Sequence, residues 1–158
     1  MEVLGEDLTK AVTSVLEKID GIEQLYPIQM DLLSSLVRGD NVFLTSSTNS
    51  GKTLPAVLFP SVLDELIKLG YNLSSGKTLF VTALNSIKIS MLASMKALGI
   101  ECEALTLENF ADVLKTETKV LFISPEVLKV ARVSSCLLVH RNSFVLKTVD
   151  EVHLGFQY

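Results

Sequence analysis

The sequence predicts a doubly wound, parallel α/β sheet, and three observations predict it. Short apolar runs alternate with stretches of helical length, and the connections between them are short. Hydrophobic residues make up 48% of the 158 positions and charged residues 20%, a balance suited to strands covered on both faces. A loop of small polar residues, TSSTNSGKT (Thr45 to Thr53), leads from one short strand into the helix after it. That length is about one domain.

In chain order, Leu8, Val12, Val15, Leu16 and Ile19 recur at helical spacing, so Glu6 to Ile19 is a helix closed by Gly21. Pro27 suits the first turn of a second helix, which runs to Val37 before Gly39. Asn41 to Thr45 is a short strand. A helix follows from Gly51 to Leu69 and stops at Gly70; Pro55 falls early enough to be tolerated, and Pro60 should kink it. Lys77 to Ala83 is a strand, Asn85 to Leu98 a helix closed by Gly99, and ECEALT the next strand. A short helix covers Glu108 to Lys115, Lys119 to Ser124 is a strand, and Pro125 opens another helix. FVLKTVDEVH gives a final strand ending in acids. No internal repeat or low-complexity tract interrupts this order.

The totals bound the function only loosely. No uninterrupted apolar run approaches the roughly 18 residues of a membrane span. The opening MEVLGEDLTK has acids and no basic region, so neither a secretory leader nor a membrane partner is expected. Cys102 and Cys136 lack metal-ligand spacing and suit a reduced, intracellular chain, nuclear in a eukaryote and cytoplasmic in a bacterium. The net charge of -4 does not advertise nucleic-acid binding. It does not exclude it either, because backbone amides and hydroxyls at helix N-termini hold phosphates without lysines.

The polar loop carries the chemistry. A phosphate cradle wraps backbone N–H groups around oxygens at a helix N-terminus, while one lysine reaches the outer phosphates and the next hydroxyl binds Mg2+. Here Ser47, Thr48, Asn49 and Ser50 form the turn, Gly51 admits close approach, Lys52 brings the charge and Thr53 the hydroxyl. Ser46 stands where such loops open with glycine and keeps the entry narrow; Asn49 is the best non-glycine residue at a positive φ. The bland alternative is a serine-rich turn that happens to precede Gly-Lys-Thr. A nucleotide site also needs an acid for magnesium and usually another for water. Asp150 and Glu151 end the final strand, which in a parallel sheet is the edge carrying the loop after Thr45.

These pieces resemble a family. Asp150-Glu151-Val152-His153 resembles the DExH form of the second helicase motif, and Ser46 to Thr53 the first. LYPIQ (Leu25 to Gln29) is similar to the aromatic–Arg–x–x–Gln element ahead of the phosphate loop in RecQ helicases. TALNSIKISM and KALGI resemble their next motif, FISPEVL (Phe122 to Leu128) the segment after it, and Gln157-Tyr158 the Gln-Trp of their aromatic-rich loop. The similarity runs from Leu25 to Tyr158. The chain is thus identified as similar to RecQ-like, superfamily-two DNA helicases, with residues 1–24 a helical lead-in and 25–158 a partial first RecA-like, P-loop domain.

The resemblance implies ATP and Mg2+ as ligands and DNA, single-stranded or forked, as partner. Gln29 would read the adenine edge and Tyr26, standing where the family often has arginine, would stack on the base. Lys52 would contact the β and γ phosphates, Thr53 and Asp150 would hold magnesium, and Glu151 would polarise the attacking water. His153 and Gln157 would couple the nucleotide state to DNA. Ser86 and Ser124 would lie near DNA phosphates; the same serines serve equally as helix caps. The implied activity is ATP-driven 3′-to-5′ unwinding in DNA repair or recombination.

Ser90 and Met91 depart from the family's Asp-Gln, Asn49 from its glycine, and Lys147 and Thr148 make the last strand unusually polar. The family's second RecA-like domain, source of an arginine for phosphoryl transfer, is not in the sequence. The 158 residues are therefore expected to be a fragment of a longer helicase or a truncated gene product, poorly folded and inactive in unwinding when alone. The rival reading is an inactive nucleotide-binding or pseudo-helicase chain that associates with other proteins. A small kinase fits less well, having no use for Gln29 or His153.

Overall fold

A computed structural model describes residues 3–40, 54–82 and 92–149, the last by its backbone. The expected strand Asn41 to Thr45, the loop Ser46 to Thr53, Ser86, the acids Asp150 and Glu151, His153 and Gln157 lie outside the described residues. Two compact units divide the chain, residues 1–75 and 76–158.

The first unit holds α1 (Gly5–Glu17), α2 (Pro27–Val37) and α3 (Leu54–Lys68). Leu8, Ala11, Val12, Val15 and Leu16 form the buried stripe of α1, which packs on α3, as does α2. From Leu54 to Pro60 every residue of α3 is buried, as expected of a helix apolar all round. The helix continues through Pro60 to Lys68. It ends where the sequence indicated: Gly70 takes φ +104°, and the Tyr71 N–H reaches back to the Leu66 carbonyl at 3.2 Å.

The second unit is built on a sheet of β1 (Lys77–Val81), β2 (Cys102–Ala104), β3 (Val120–Ile123) and β4 (Phe144–Val149), in the order β2-β3-β1-β4. All three pairings are parallel, so the expected α/β fold class is present. Between the strands lie α4 (helical over 92–97), α5 (Phe110–Val113), α6 (Pro125–Leu128), α7 (Ala131–Val139) and a 3-10 turn, Arg141–Ser143. The single helix expected after Pro125 is thus two. Strand alternation sorts the core. Leu79, Val81, Leu121 and Ile123 join Leu105, Leu114, Val133 and Leu137 in one cluster. The other face carries Thr78, Phe80, Val120 and Phe122, with the two phenyl rings 5.4 Å apart and tilted.

Candidate functional site

Two parts of the expected site fall among the described residues, one in each unit.

In the first unit, Pro27 opens α2 and Tyr26 precedes it in extended conformation. Gln29 sits at the third helical position, only 5% exposed, and its Oε1 accepts a hydrogen bond from the Tyr26 N–H at 2.8 Å. This is the return half of a capping box, in which a side chain at the third position satisfies the donor at the helix entrance. The Tyr26 ring is 71% exposed and Ile28 beside it is exposed as well. A buried glutamine therefore fixes the chain below an outward aromatic face. Such a face can stack on a planar ring.

In the second unit, the site edge is the carboxyl end of the sheet. The register pairs Val81 with Ile123 on one side and with Val149 on the other. The next residues along β1 and β3 are Thr82 and Ser124. The Thr82 N–H donates to the Ile123 carbonyl at 3.0 Å, which carries the ladder one step past the strand. Ser124 is 3% exposed, and its Oγ accepts the Val127 N–H at 3.4 Å, capping α6. That contact is the helix-capping role open to it from the sequence. Thr82 is 1% exposed, and its Oγ1 has no hydrogen-bond partner among the described residues. Buried polar groups are nearly always satisfied, and an orphan costs about 1–3 kcal/mol.

Sequence reasoning passed over Thr82 as a site residue. Its signal was present: Thr78, Phe80 and Thr82 alternate onto one face, and the last of them ends the strand at the site edge.

Groups with displaced proton affinities stand elsewhere. Burial pushes the Lys77 ammonium below its ordinary value at the opposite, amino end of β1, where it donates to the Leu114 and Thr116 carbonyls. Burial pushes the Cys102 thiol up, which suits an inert core cysteine. Among the described residues no three His, Cys, Asp or Glu side chains gather as a metal site, and the magnesium ligands expected from the sequence, Thr53 and Asp150, lie outside them. No described helix is long and apolar enough to cross a membrane.

A parallel sheet with its polar ends at the carboxyl edge defines the class: a RecA-like α/β domain. No protein-family model matches the chain. Two characterised proteins are similar to nearly all of it. The RecQ-like DNA helicase blm-1 of Caenorhabditis elegans is 27% identical over 173 residues, covering 99% of this chain and 16% of that protein. The ATP-dependent DNA helicase Q1 of Pongo abelii is 25% identical over 160 residues, covering 93% of this chain and 23% of its own length. Both of these relatives are DNA helicases by name, and the chain spans less than a quarter of the length of either.

Proposed function

We propose that this chain provides the ATP-binding part of a DNA helicase that couples ATP hydrolysis to 3′-to-5′ duplex unwinding. The observation that carries the reading is similarity to two RecQ-type DNA helicases along almost the whole chain. The parallel sheet supports it, since ligands of such sheets bind beyond the carboxyl ends of the strands. Its residues suit the ligand: an exposed aromatic face at Tyr26 for a base, and at the sheet edge the buried Thr82 hydroxyl, which has no partner among the described residues.

The residues divide the work. Tyr26 stacks on adenine while Gln29 fixes the entrance of α2 and meets the base edge. The turn Ser47, Thr48, Asn49, Ser50 and Gly51 offers its amides to phosphate oxygens. Lys52 neutralises the β and γ phosphates. Thr53 and Asp150 hold Mg2+, which when bound supplies charge for the departing diphosphate. Glu151 accepts a proton from the attacking water. His153 and Gln157 pass the state of the site to DNA, beside which Ser86 and Ser124 lie.

Binding of ATP to the full chain by calorimetry or fluorescence tests the reading. Lys52→Ala should abolish binding; unchanged affinity removes the loop from the site. A second reading, an inactive nucleotide-binding partner of other proteins, draws on Asn49, Ser90 and Met91, where the sequence leaves the family pattern. Glu151→Gln separates the two. It should suppress ATP turnover while sparing ATP binding, and a wild-type chain with no turnover in DNA and magnesium favours the second.

A further inference from the structure

A glutamine that reads adenine uses both ends of its amide. The nitrogen donates to N7, and the oxygen accepts from the exocyclic amino group. Guanine shares N7 but carries an oxygen in place of that amino group. Only the amide oxygen can therefore favour adenine over guanine. In this chain that oxygen is committed: Gln29 Oε1 accepts the Tyr26 N–H at 2.8 Å, in a half-buried bond that closes the entrance of α2. Turning the oxygen toward a base would cost α2 this bond and strip a half-buried N–H of its acceptor. Exposure divides the two residues in the same sense. Gln29 is buried, whereas Tyr26 is largely exposed. A planar ring that settles here meets the phenol face. Aromatic faces hold every base, because each base has a π-face, and they do not sort bases by their edges.

We infer that Gln29 is a positioning residue for Tyr26 rather than a reader of the amino group, so that the base site takes adenine and guanine nucleoside triphosphates alike. The inference rests on the nucleotide-site reading above and narrows the part that Gln29 plays in it. Gln29 fixes the backbone that carries the Tyr26 ring, and the ring supplies the hold.

The test titrates the full chain, in magnesium, with ATP and with GTP by calorimetry, and repeats both titrations on three variants. In wild type the two dissociation constants should agree within about fivefold, whereas an amide reading adenine with both atoms separates them by about 5- to 150-fold. Tyr26→Ala keeps the N–H that Gln29 holds and removes the ring; it should weaken both nucleotides about tenfold. Gln29→Ala removes the acceptor and should weaken both by one common factor. Gln29→Glu returns an acceptor of the kind a capping box uses, and should recover both affinities from the level of the Ala variant. A larger wild-type preference for either nucleotide overturns the inference. If Gln29→Ala abolishes that preference, the amide reads the base; if the preference survives, another group does. Weakening of ATP alone in Gln29→Ala, or a Glu variant that recovers neither affinity, overturns it as well. Should Gln29→Ala fail to fold, the wild-type ratio and Tyr26→Ala still decide. If wild type binds neither nucleotide, the underlying reading fails; ATP binding with a strong bias against GTP leaves that reading standing and removes this inference alone.

Discussion

The two units of this chain hold themselves together by different means. In the first, three helices share their burial: α3 is apolar nearly all round in its first half, and α1 and α2 each cover part of it with a stripe. Polar pairs then tie the ends of the chain segment, Tyr71 to Asp7 and Lys18 to Glu65. In the second, burial is concentrated on two strands. Each residue of β3 is buried and so is β1 after Lys77, whereas β4 is only partly buried and exposes Lys147. A helical stripe spreads its contacts over many exchangeable side chains. A central strand cannot, because each residue packs on one face and every backbone group is committed to the ladder. The second unit should therefore lose most from single changes.

The largest expected effect sharpens that contrast. Phe122 is wholly buried and packs on Phe80. Phe122→Ala should cost about 3–5 kcal/mol in urea unfolding. Leu8→Ala, in the stripe of α1, should fall near the lower end of the range for buried leucine, about 2 kcal/mol. Equal losses at the two sites would break the comparison.

The next effect concerns the junction of β1 and β4. A side chain added at Gly76 would place its Cβ 2.6 Å from Val145 Cγ1 and 2.7 Å from the Ser143 carbonyl oxygen. The valine can turn, but the carbonyl belongs to the backbone that enters β4. Gly76→Ala should thus cost about 1–3 kcal/mol, seen as a lower thermal midpoint. Gly5→Ala, with open space around it in the first unit, should leave that midpoint in place.

Much of this was legible in the sequence, and the reasons are local. The run KVLFIS reads as a buried strand because nothing in it is charged after Lys119. Gly39, Gly70 and Gly99 end helices because each takes a positive φ. Local signals fail where a long-range or reciprocal contact decides. ECEALT shrinks to Cys102–Ala104 because Thr106 and Asn109 bond each other's backbone N–H groups and turn the chain. The break between α6 and α7 has no glycine or proline to announce it; the Ser134 hydroxyl closes it by donating to the Leu128 carbonyl. Of the candidate site, Ser124 was readable as a cap from Ser-Pro. For Thr82 the alternation with Thr78 and Phe80 showed the face, but not whether its hydroxyl is satisfied, which depends on its neighbours in space.

A smaller effect tests the polar ties of the first unit. Tyr71 donates its hydroxyl hydrogen to Asp7 Oδ2 and accepts the Leu4 N–H at 3.1 Å. The bond to Asp7 keeps the phenol protonated and lifts its proton affinity above the ordinary 10.0. A raised acid stabilises the fold while protonated, so this contribution is complete below 10.0 and is lost as pH climbs through the raised value. Ultraviolet titration should show a tyrosine ionising above the ordinary 10.0, and Asp7→Asn should bring it back toward that value. An unmoved titration would mean that the tie does not form in solution.

The smallest effect lies at Glu65, and its pH dependence runs the other way. Lys18 Nζ lies 2.6 Å from Glu65 Oε1 and Lys68 Nζ 3.5 Å, with both lysines largely exposed. The hydrogen bond from Lys18 draws the carboxyl below its ordinary 4.5. A depressed acid stabilises the fold while ionised, so the contribution is present above 4.5 and fades as pH falls through the lower folded value. Because the lysines reach into solvent, the pair is worth only about 0.2–1 kcal/mol at neutral pH. Glu65→Gln should lose that amount at pH 7, lose progressively less as the pH falls below 4.5, and lose less at pH 7 in high salt. A loss as large as that of Leu8→Ala would mean that the first unit rests on its polar ties more than on its stripes, and the contrast with the sheet unit would have to be redrawn.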